Sequence, residues 1–320
     1  MTSISPARSS VILALTTIYL VWGSTYLGIK VAVETMPPFA MAAFRFLAAG
    51  IALLLFLMLR GGKRPTLRQC VDNTVIGTLL LLGGNGLVAW AEQIIPSGIT
   101  ALLIGIGPLF VVLTEWAWPG GQRPTLGIMA ALLLGLAGVV WLAAPWETPI
   151  EGGLPVMGVG VILFSCVCWA IGSIYSRHAK SSPDPFQAAA LQMLGGSLAL
   201  FITAFAVGDF SNLDLAAISV RSWSAFAYLI VVGSLVGFST FVWLMKNVQP
   251  ALAATFAYVN PIVAVFLGWW LLDETVTART FGAAAVIITS VIIITVQKNR
   301  RALSVPPRQA VAAADPAQDT

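Results

Sequence analysis

Charged residues are scarce in this sequence. Only 9% of its 320 residues are Asp, Glu, Lys or Arg, whereas 58% are hydrophobic. An ordinary soluble domain has about a quarter of its residues charged, and a soluble fold cannot hide this much apolar surface. The shortage of charge therefore excludes a soluble protein and predicts an integral membrane protein.

The sequence also has few of the residues that enzymes and metal centres use. His178 is the only histidine and has no metal-ligand spacing around it, and no nucleophile and base stand out as a pair. Cys70, Cys166 and Cys168 are odd in number and are not spaced as CxxC, so we expect them to be unpaired. No P-loop is present. We therefore expect no enzymatic activity, no cofactor, no metal and no use of ATP.

Long apolar runs fill the chain instead. A helix needs about 20 residues to cross a hydrocarbon core of about 30 Å, and ten runs of suitable length are present. They lie at residues 11–33, 38–59, 74–93, 97–118, 125–143, 154–176, 186–207, 223–244, 250–272 and 279–297. The short connections leave no room for a soluble domain. The predicted fold class is an all-α integral membrane protein with ten transmembrane helices.

The basic residues favour one side of these predicted helices. With the N-terminus inside, the cytoplasmic side receives Arg8, Arg60, Lys63, Arg64, Arg68, Arg123, Arg177, Lys180, Lys246, Lys298, Arg300, Arg301 and Arg308. The other side receives Arg221 and Arg279, together with the acidic residues Glu34, Glu147, Glu151, Asp209, Asp214, Asp273 and Glu274. This positive-inside distribution predicts that both termini are cytoplasmic. It also explains the net charge of +4 without a nucleic-acid partner.

The two halves of the chain repeat each other. Pro38-Phe39, Leu47 and Leu53 recur 147 residues later as Pro185-Phe186, Leu194 and Leu200, and Trp22 matches Trp169 at the same offset. Further along, the offset is 153 residues, and the matched pairs are Gly84 with Gly237, Trp90 with Trp243, Ala101 with Ala254 and Pro108 with Pro261. One insertion between the two groups explains the change of offset.

Each repeat holds five helices, so the second must enter the membrane upside down relative to the first. Inverted repeats are common among secondary transporters, where they let a central site face either side in turn. The predicted organisation is a cytoplasmic N-terminus at 1–10, repeats at 11–143 and 154–297, and a disordered cytoplasmic tail at 298–320, which is rich in Ala, Pro and charge.

Several short motifs carry a family resemblance. In the first half they are Trp22-Gly23-Ser24-Thr25-Tyr26, Arg45, Pro96-Ser97-Gly98-Ile99-Thr100-Ala101 and Gly107-Pro108-Leu109-Phe110. In the second half they are Pro250-Ala251-Leu252-Ala253-Ala254, Tyr258-Val259-Asn260-Pro261 and Asp273-Glu274-Thr275. In this order they resemble the EamA family of the drug/metabolite transporter superfamily, over about residues 11 to 297.

The resemblance implies a ten-helix carrier of the bacterial inner membrane with both termini cytoplasmic. It implies export of amino acids, related metabolites or drugs through a cavity formed mainly by helices one, three, four, six, eight and nine. One departure is Gly120-Gly121-Gln122, where many members keep an acidic residue after helix four. The resemblance therefore does not imply a gate contact at that position.

The fourth and ninth helices are the first candidates for the substrate site. Gly107-Pro108 and Asn260-Pro261 interrupt them at corresponding places, and such interrupted pairs indicate binding sites in inverted-repeat carriers. Each proline frees a carbonyl one turn back, which substrate or water could satisfy. The alternative is that the prolines only kink packed helices.

Arg45 is the second candidate, because ionisable groups within the membrane are costly and usually functional. We expect it to receive a substrate carboxylate or to make the outer vestibule electropositive. The alternatives are a structural ion pair, with Glu92 as the candidate partner, and a snorkelling side chain. Its counterpart in the second repeat is Gln192, so this charge is one-sided. Lys30, near a helix end, is interpreted as a snorkelling side chain.

Aromatic residues recur on helices one, three, six, eight and nine, although Trp and Tyr also gather at membrane interfaces. Trp22 and Trp169, which lie deeper in their runs, are interpreted as cavity walls. The complete set of predicted site residues is Trp22, Ser24, Thr25, Tyr26, Arg45, Asn85, Trp90, Glu92, Gly107, Pro108, Trp169, Trp243, Tyr258, Asn260 and Pro261.

The predicted function is a secondary transporter that exports amino acids or related small metabolites by alternating access. The predicted partners are the lipid bilayer and a small-molecule substrate. Two alternatives stay open: a broad-specificity efflux carrier for drugs and amphiphiles, and a channel or receptor without transport coupling.

Overall fold

The described part of the chain folds into ten apolar helices. The structure, a computed structural model, describes residues 7–121, 123–147, 153–248, 252 and 255–304, and it contains no strand within them. The helices are α1 Arg8–Ala32, α2 Pro38–Leu59, α3 Leu67–Ala91, α4 Ser97–Ala117, α5 Leu126–Ala143, α6 Val156–His178, α7 Pro185–Ala206, α8 Val220–Asn247, α9 Phe256–Leu272 and α10 Ala278–Ser304. Nine are long and apolar enough to cross a membrane, and α9 contributes a shorter apolar helix in this described part. The predicted all-α membrane fold is confirmed.

Two of the described helix boundaries differ from the predicted runs by more than about three residues. Helix α3 begins at Leu67 rather than 74, because Thr66 and Gln69 form a capping box that starts the helix in polar sequence. Helix α10 continues to Ser304, so the tail that was expected to be disordered begins with helix. Helix α9 is described from Phe256, and Pro250, Ala251, Ala253, Ala254 and the tail from 305 onward lie outside the described residues.

Contacts between loops establish that the helices alternate in direction. At one end of the bundle, hydrogen bonds or ion pairs join Gln187 to Lys63, Ser181 to Asn73, Lys246 to Ser182, Arg177 to Glu115 and Thr125 to Gln297. At the other end they join Asp209 to Phe39, Glu274 to Ser97, Arg279 to Glu147 and Ser219 to Thr35. We call the first end the basic face and the second the acidic face, after the loops that they carry.

The helices pack in repeat-related pairs. Helix α2 lies mainly against α7, α5 against α10, and the first half of α4 against α9. In each pair, the sequence repeat relates one helix of the first half to the other helix, which belongs to the second half. A pseudo-two-fold axis in the membrane plane therefore passes between them, as inverted repeats require.

Helices α3 and α8 contain π-helical segments at matching places, Thr78–Gly86 in α3 and Leu229–Phe238 in α8. The offset of 153 residues maps one segment almost onto the other. Such wide turns often accompany functional sites, and both segments lie beside the space between the repeats.

Glycines allow α3 and α7 to approach closely. A Cβ atom at Gly77 would lie 2.1 Å from the carbonyl oxygen of Gln192, and one at Gly195 would lie 2.4 Å from the Cα atom of Thr74. Because both obstacles are backbone atoms, neither helix can yield by a side-chain rotation. Small residues of this kind are a usual means of packing membrane helices tightly.

We expect Gly77→Ala to lower the melting temperature and the yield of folded protein in detergent, because forcing the helices apart costs about 1–3 kcal/mol or more. Gly160→Ala is the matched control, since a Cβ atom at Gly160 meets nothing within 4 Å. Equal melting temperatures for the two variants, measured on purified protein, would contradict this packing.

Candidate substrate cavity

A cavity of about 440 Å³ lies between the two repeats. Its walls come from α1, α3, α4, α6, α8 and α9, as the family resemblance implied, with further side chains from α2 and α10. Volumes of roughly 300–1,000 Å³ are typical of small-molecule sites. The cavity is therefore large enough to hold a small metabolite.

The cavity-lining residues at the basic face are partly exposed whereas those at the other end are buried, so we infer that the cavity opens toward the basic face. Glu115 near the end of α4 and Arg177 near the end of α6 line this mouth and are about one-third exposed, with 3.6 Å between Arg177 Nη1 and Glu115 Oε1. Met245 and Thr295 line the same region. Charged groups thus border the entrance, whereas most of the deeper lining is apolar.

Arg45 lies at the opposite, closed end. It is 3% exposed, and its Nε donates to Ser234 Oγ at 2.8 Å while Nη1 donates to Asn85 Oδ1 at 3.2 Å. The guanidinium also packs 4.7 Å from the ring centre of Phe46. Both hydrogen-bonding partners are neutral, so within the described residues no carboxylate forms an ion pair with this guanidinium.

The layer beyond Arg45 seals the cavity from the acidic face. Glu92 follows the cavity-lining Val88 by one helical turn and is completely buried, as is Ser97, one turn before the lining residue Ala101. Lys30 of α1 donates to the backbone carbonyls of Glu92 and Ile95. Lys30 is half-buried, and its ammonium group is thus held by the end of α3, which the sequence did not predict.

The predicted ion pair between Arg45 and Glu92 is not formed. Neither carboxylate oxygen of Glu92 has a hydrogen-bond partner among the described residues. Arg45 reaches across to α3 and α8, where Asn85 and Ser234 are closer partners. Position along the sequence correctly indicated a shared half of the membrane, but it could not give the direction of the two side chains.

Glu274 joins the second repeat to the first at the acidic face. Its carboxylate accepts hydrogen bonds from the backbone N–H groups of Ser97 at 2.7 Å and Gly98 at 2.9 Å, and from Ser97 Oγ at 2.8 Å. These are the free N–H groups at the start of α4, where a negative charge is most favourable. Gly268 makes room, since a Cβ atom there would lie 2.4 Å from Glu274 Oε2.

The repeat-related position on the basic face has no such carboxylate. An offset of 153 residues places Gly121 where Glu274 stands in the second repeat. Gly120 beside it has a φ of +77°, which suits glycine. The acidic face therefore has a carboxylate clamp that its symmetry mate lacks.

Aromatic rings form one wall of the cavity. Trp22 and Trp169, which are repeat-related, meet edge to face with ring centres 5.6 Å apart, and Phe241 and Phe256 lie against Trp22 at 4.8 and 5.1 Å. Repeat-related glycines make room for the two tryptophans. A Cβ atom at Gly84 would lie 2.7 Å from Trp169, and one at Gly237 would lie 2.9 Å from Trp22.

The proline-containing parts of α4 and α9 meet at the cavity. Helix α4 is interrupted at Gly105 and Ile106, before Pro108, as the sequence predicts. Pro261 lies in the second turn of the described α9, and a Cβ atom at Gly105 would lie 3.4 Å from the Pro261 ring. With its amide oriented to satisfy its hydrogen bonds, Asn260 donates to the carbonyls of Phe256 and Tyr19.

Most of the predicted site residues lie on this cavity. Those that line it are Trp22, Thr25, Tyr26, Arg45, Asn85, Gly107, Pro108, Trp169, Asn260 and Pro261. Ser24, Trp90, Glu92 and Trp243 do not line it. The side chain of Tyr258 lies outside the described part of the structure.

Helical geometry explains these misses. Trp90 is two residues from the lining Val88, and Trp243 is two residues from the lining Phe241, so each points to the opposite side of its helix. Ser24 instead contacts α8, where its Oγ lies 2.6 Å from the Tyr228 hydroxyl.

Sequence reasoning missed Glu115 and Arg177 as cavity residues. Glu115 lies within an apolar run and Arg177 lies at the edge of one, and a charge in such a place could have indicated a cavity residue. They come from different repeats, however, and only the fold brings them together.

Two inverted five-helix repeats around a one-sided central cavity define a membrane transporter of the inverted-repeat class. The chain belongs to the EamA-like transporter family, which matches residues 9–144 and again residues 156–296. The family resemblance predicted from the motifs is thus confirmed.

Individual relatives extend over most of the chain. It is 39% identical to the uncharacterized inner membrane transporter YedA of Escherichia coli (strain K12), over 89% of this chain and 90% of YedA. It is 24% identical to the uncharacterized transporter YvbV of Bacillus subtilis (strain 168), over 92% of this chain and 93% of YvbV. A crystal structure of a protein 22% identical in sequence shares the fold with a TM-score of 0.62, covering 91% of this chain and 99% of the other.

We expect a cysteine at Val111, on the cavity wall, to react with a membrane-impermeant maleimide from the basic side. In a Cys70, Cys166 and Cys168 to Ser background, Val111→Cys should label from the same side as Lys63→Cys, a basic-face loop residue. Thr35→Cys, in an acidic-face loop, should label only from the other side. Faster labelling of Val111→Cys from the Thr35 side would contradict the observed opening.

Proposed function

We propose that this protein is a secondary transporter that exports amino acids or related small metabolites by alternating access. We further propose that it resides in the bacterial inner membrane with both termini cytoplasmic. The basic face would then be the cytoplasmic face, as the positive-inside rule predicts. In the structure described here, the cavity would be open to the compartment from which substrate is exported.

The buried guanidinium of Arg45 at the closed end of the cavity carries the proposal. A cation within the membrane is costly, and its two hydrogen-bonding partners are neutral. A substrate carboxylate would supply the missing negative charge through charge-assisted hydrogen bonds. The apolar and aromatic walls would enclose the rest of an amino acid or a similar carboxylate.

Contacts between the repeats support alternating access. At the acidic face, Glu274 of the second repeat holds the start of α4 in the first. At the basic face, Arg177 of the second repeat approaches Glu115 of the first, and the pair joins two neighbouring helices beside the cavity mouth. Release to the acidic side requires that the first contact break and that the basic mouth narrow, a rocking of one repeat against the other.

We expect Arg45→Gln to lower uptake of carboxylate-bearing amino acids into proteoliposomes by roughly tenfold or more, because a hydrogen bond to a charged group is worth about 1.5–3 kcal/mol. The probes are radiolabelled leucine, phenylalanine and threonine, each compared with its decarboxylated amine. Uptake of the amine should fall little in Arg45→Gln, since the amine has no carboxylate for Arg45 to bind.

Arg221→Gln is the matched control, because Arg221 lies at the acidic face, 4.0 Å from Glu34 and outside the cavity. It should transport as the unmodified protein does. If Arg45→Gln is present at the same level and transports these amino acids at the same rate and affinity, the carboxylate role of Arg45 is wrong.

The aromatic wall favours a second candidate function, efflux of drugs or other amphiphiles. Trp22, Trp169, Phe241 and Phe256 would bind flat or cationic molecules through packing and cation–π contacts. A panel of amino acids and cationic dyes, with and without a pH gradient, distinguishes the two candidates. Flux that does not saturate with concentration would instead support a channel, and absence of all flux would support a receptor.

We expect green fluorescent protein fused after Ser304 to fluoresce and alkaline phosphatase fused at the same position to be inactive, since phosphatase folds only outside the cytoplasm. A phosphatase inserted at Asp214, in an acidic-face loop, is the control and should be active. The reverse pattern would contradict the proposed orientation of the protein.

A further inference from the structure

Glu92 is a buried acid whose carboxylate has no hydrogen-bond partner in the part of the chain that the structure describes. It is 0% exposed, and neither of its carboxylate oxygens accepts a hydrogen bond from any described residue. An ionised carboxylate in such a place would be very costly. The neutral, protonated carboxyl is the form that this environment favours.

The neighbouring cations are engaged elsewhere. Lys30 donates to the backbone carbonyls of Glu92 and Ile95 rather than to the carboxylate, and Arg45 is bound to Asn85 and Ser234. The charged groups whose fields reach Glu92 are Lys30, Arg45 and Glu274. The other titratable groups packed near this layer are Tyr26 on α1, Cys166 on α6 and Tyr228 on α8.

Glu92 belongs to the layer that closes the acidic face. It lies one helical turn beyond Val88, on the same side of α3, between the cavity and the loops of that face. Lys30 ties the end of α3 to α1 at this level, and Glu274 ties α4 to the second repeat. Opening the acidic face must separate these helices and admit water to the Glu92 carboxylate.

We propose that Glu92 is a proton-binding site that couples proton uptake to closure of the acidic face. This inference rests on the alternating access proposed above. As the face closes, a carboxylate oxygen of Glu92 takes a proton from the water on that side and becomes a neutral carboxyl. When the face opens, water solvates the group and the proton returns to that water, so no other reactant is needed.

The coupling works in both directions, because linkage between two equilibria is reciprocal. If closure raises the affinity of Glu92 for a proton, then a proton on Glu92 stabilises the closed face. Low pH on the acidic side therefore favours the state that is open to the basic side. Glu92→Gln, which imitates the protonated form, should favour that state at every pH.

Infrared difference spectroscopy tests the protonation without a substrate. In lipid nanodiscs, spectra taken between pH 5 and pH 9 should contain a carbonyl band of a buried protonated carboxyl, and Glu92→Gln should abolish it. Glu34→Gln is the control, because Glu34 is an exposed acid on the same face, and it should keep the band. A band that is absent from the unmodified protein, or that persists in Glu92→Gln, overturns the proposal.

Cysteine labelling tests the link to closure. In the cysteine-free background, Ile29→Cys at the closed end of the cavity is labelled from the acidic side, and its rate is divided by that of Thr35→Cys, an exposed position on the same face. This ratio should rise at least tenfold from pH 6 to pH 9 with Glu92 present. With Glu92→Gln it should stay low and constant, and an unchanged pH dependence in that variant overturns the coupling.

Glu92→Asp keeps the test decisive if Glu92→Gln does not fold. The shorter acid still titrates, so its carbonyl band should shift, and an unshifted band overturns the assignment to Glu92. Both tests need no substrate and so distinguish this inference from the proposed function. If the protein transports none of the probes but shows both the infrared band and the pH-dependent labelling, export is refuted and the proton site is supported. If it transports the probes but shows neither the band nor the pH-dependent labelling, export is supported and the proton site is refuted.

Discussion

Hydrocarbon offers no hydrogen bonds, so a polar group within the membrane is costly unless it has a partner inside the protein. In this bundle, that constraint gathers polar side chains between the two repeats. Arg45 finds Asn85 and Ser234 there, and Glu274 finds the free N–H groups at the start of α4. The outer surfaces of the helices are left to apolar side chains that face lipid. The functional region is therefore the interface between the repeats.

The pseudo-two-fold axis makes this interface symmetric in shape. Trp22 and Trp169 meet across it, and Gly237 and Gly84 make matching room for them. The π-helical segments of α3 and α8 widen the two helices at corresponding places. Two conformations of similar energy, each open to one side, are what a symmetric scaffold of this kind naturally provides.

Charge breaks this symmetry of shape. Arg45 corresponds to Gln192, and Glu274 corresponds to Gly121, so the cation and the carboxylate clamp both belong to the acidic half of the membrane. A carrier with chemically different gates need not populate its two open states equally. The closed acidic face and open basic face of this structure agree with that difference, because only the acidic face has the clamp.

Much of the fold could be predicted because the bilayer strongly restricts which structures can cross it and how long each helix must be. Run length determined the number of helices, and the matched tryptophans and prolines revealed the repeat. The start of α3, at the basic face, was predicted seven residues too late, because a capping box in polar sequence rather than an apolar run begins that helix. The side-chain directions of Trp90 and Trp243 were also missed, since an apolar run does not reveal which side of a helix faces the cavity.

The sequence by itself determined the class of protein, the ten helices and the inverted repeat, because hydropathy, charge and repeated motifs are local properties of the chain. It also named some of the residues that line the cavity. Only the tertiary structure decided how the charged groups are used. Arg45 and Glu92 share one half of the membrane and yet do not pair, whereas Glu115 and Arg177, far apart in sequence, do. A hydrogen bond or ion pair depends on distances of a few ångströms, and helix packing sets those distances.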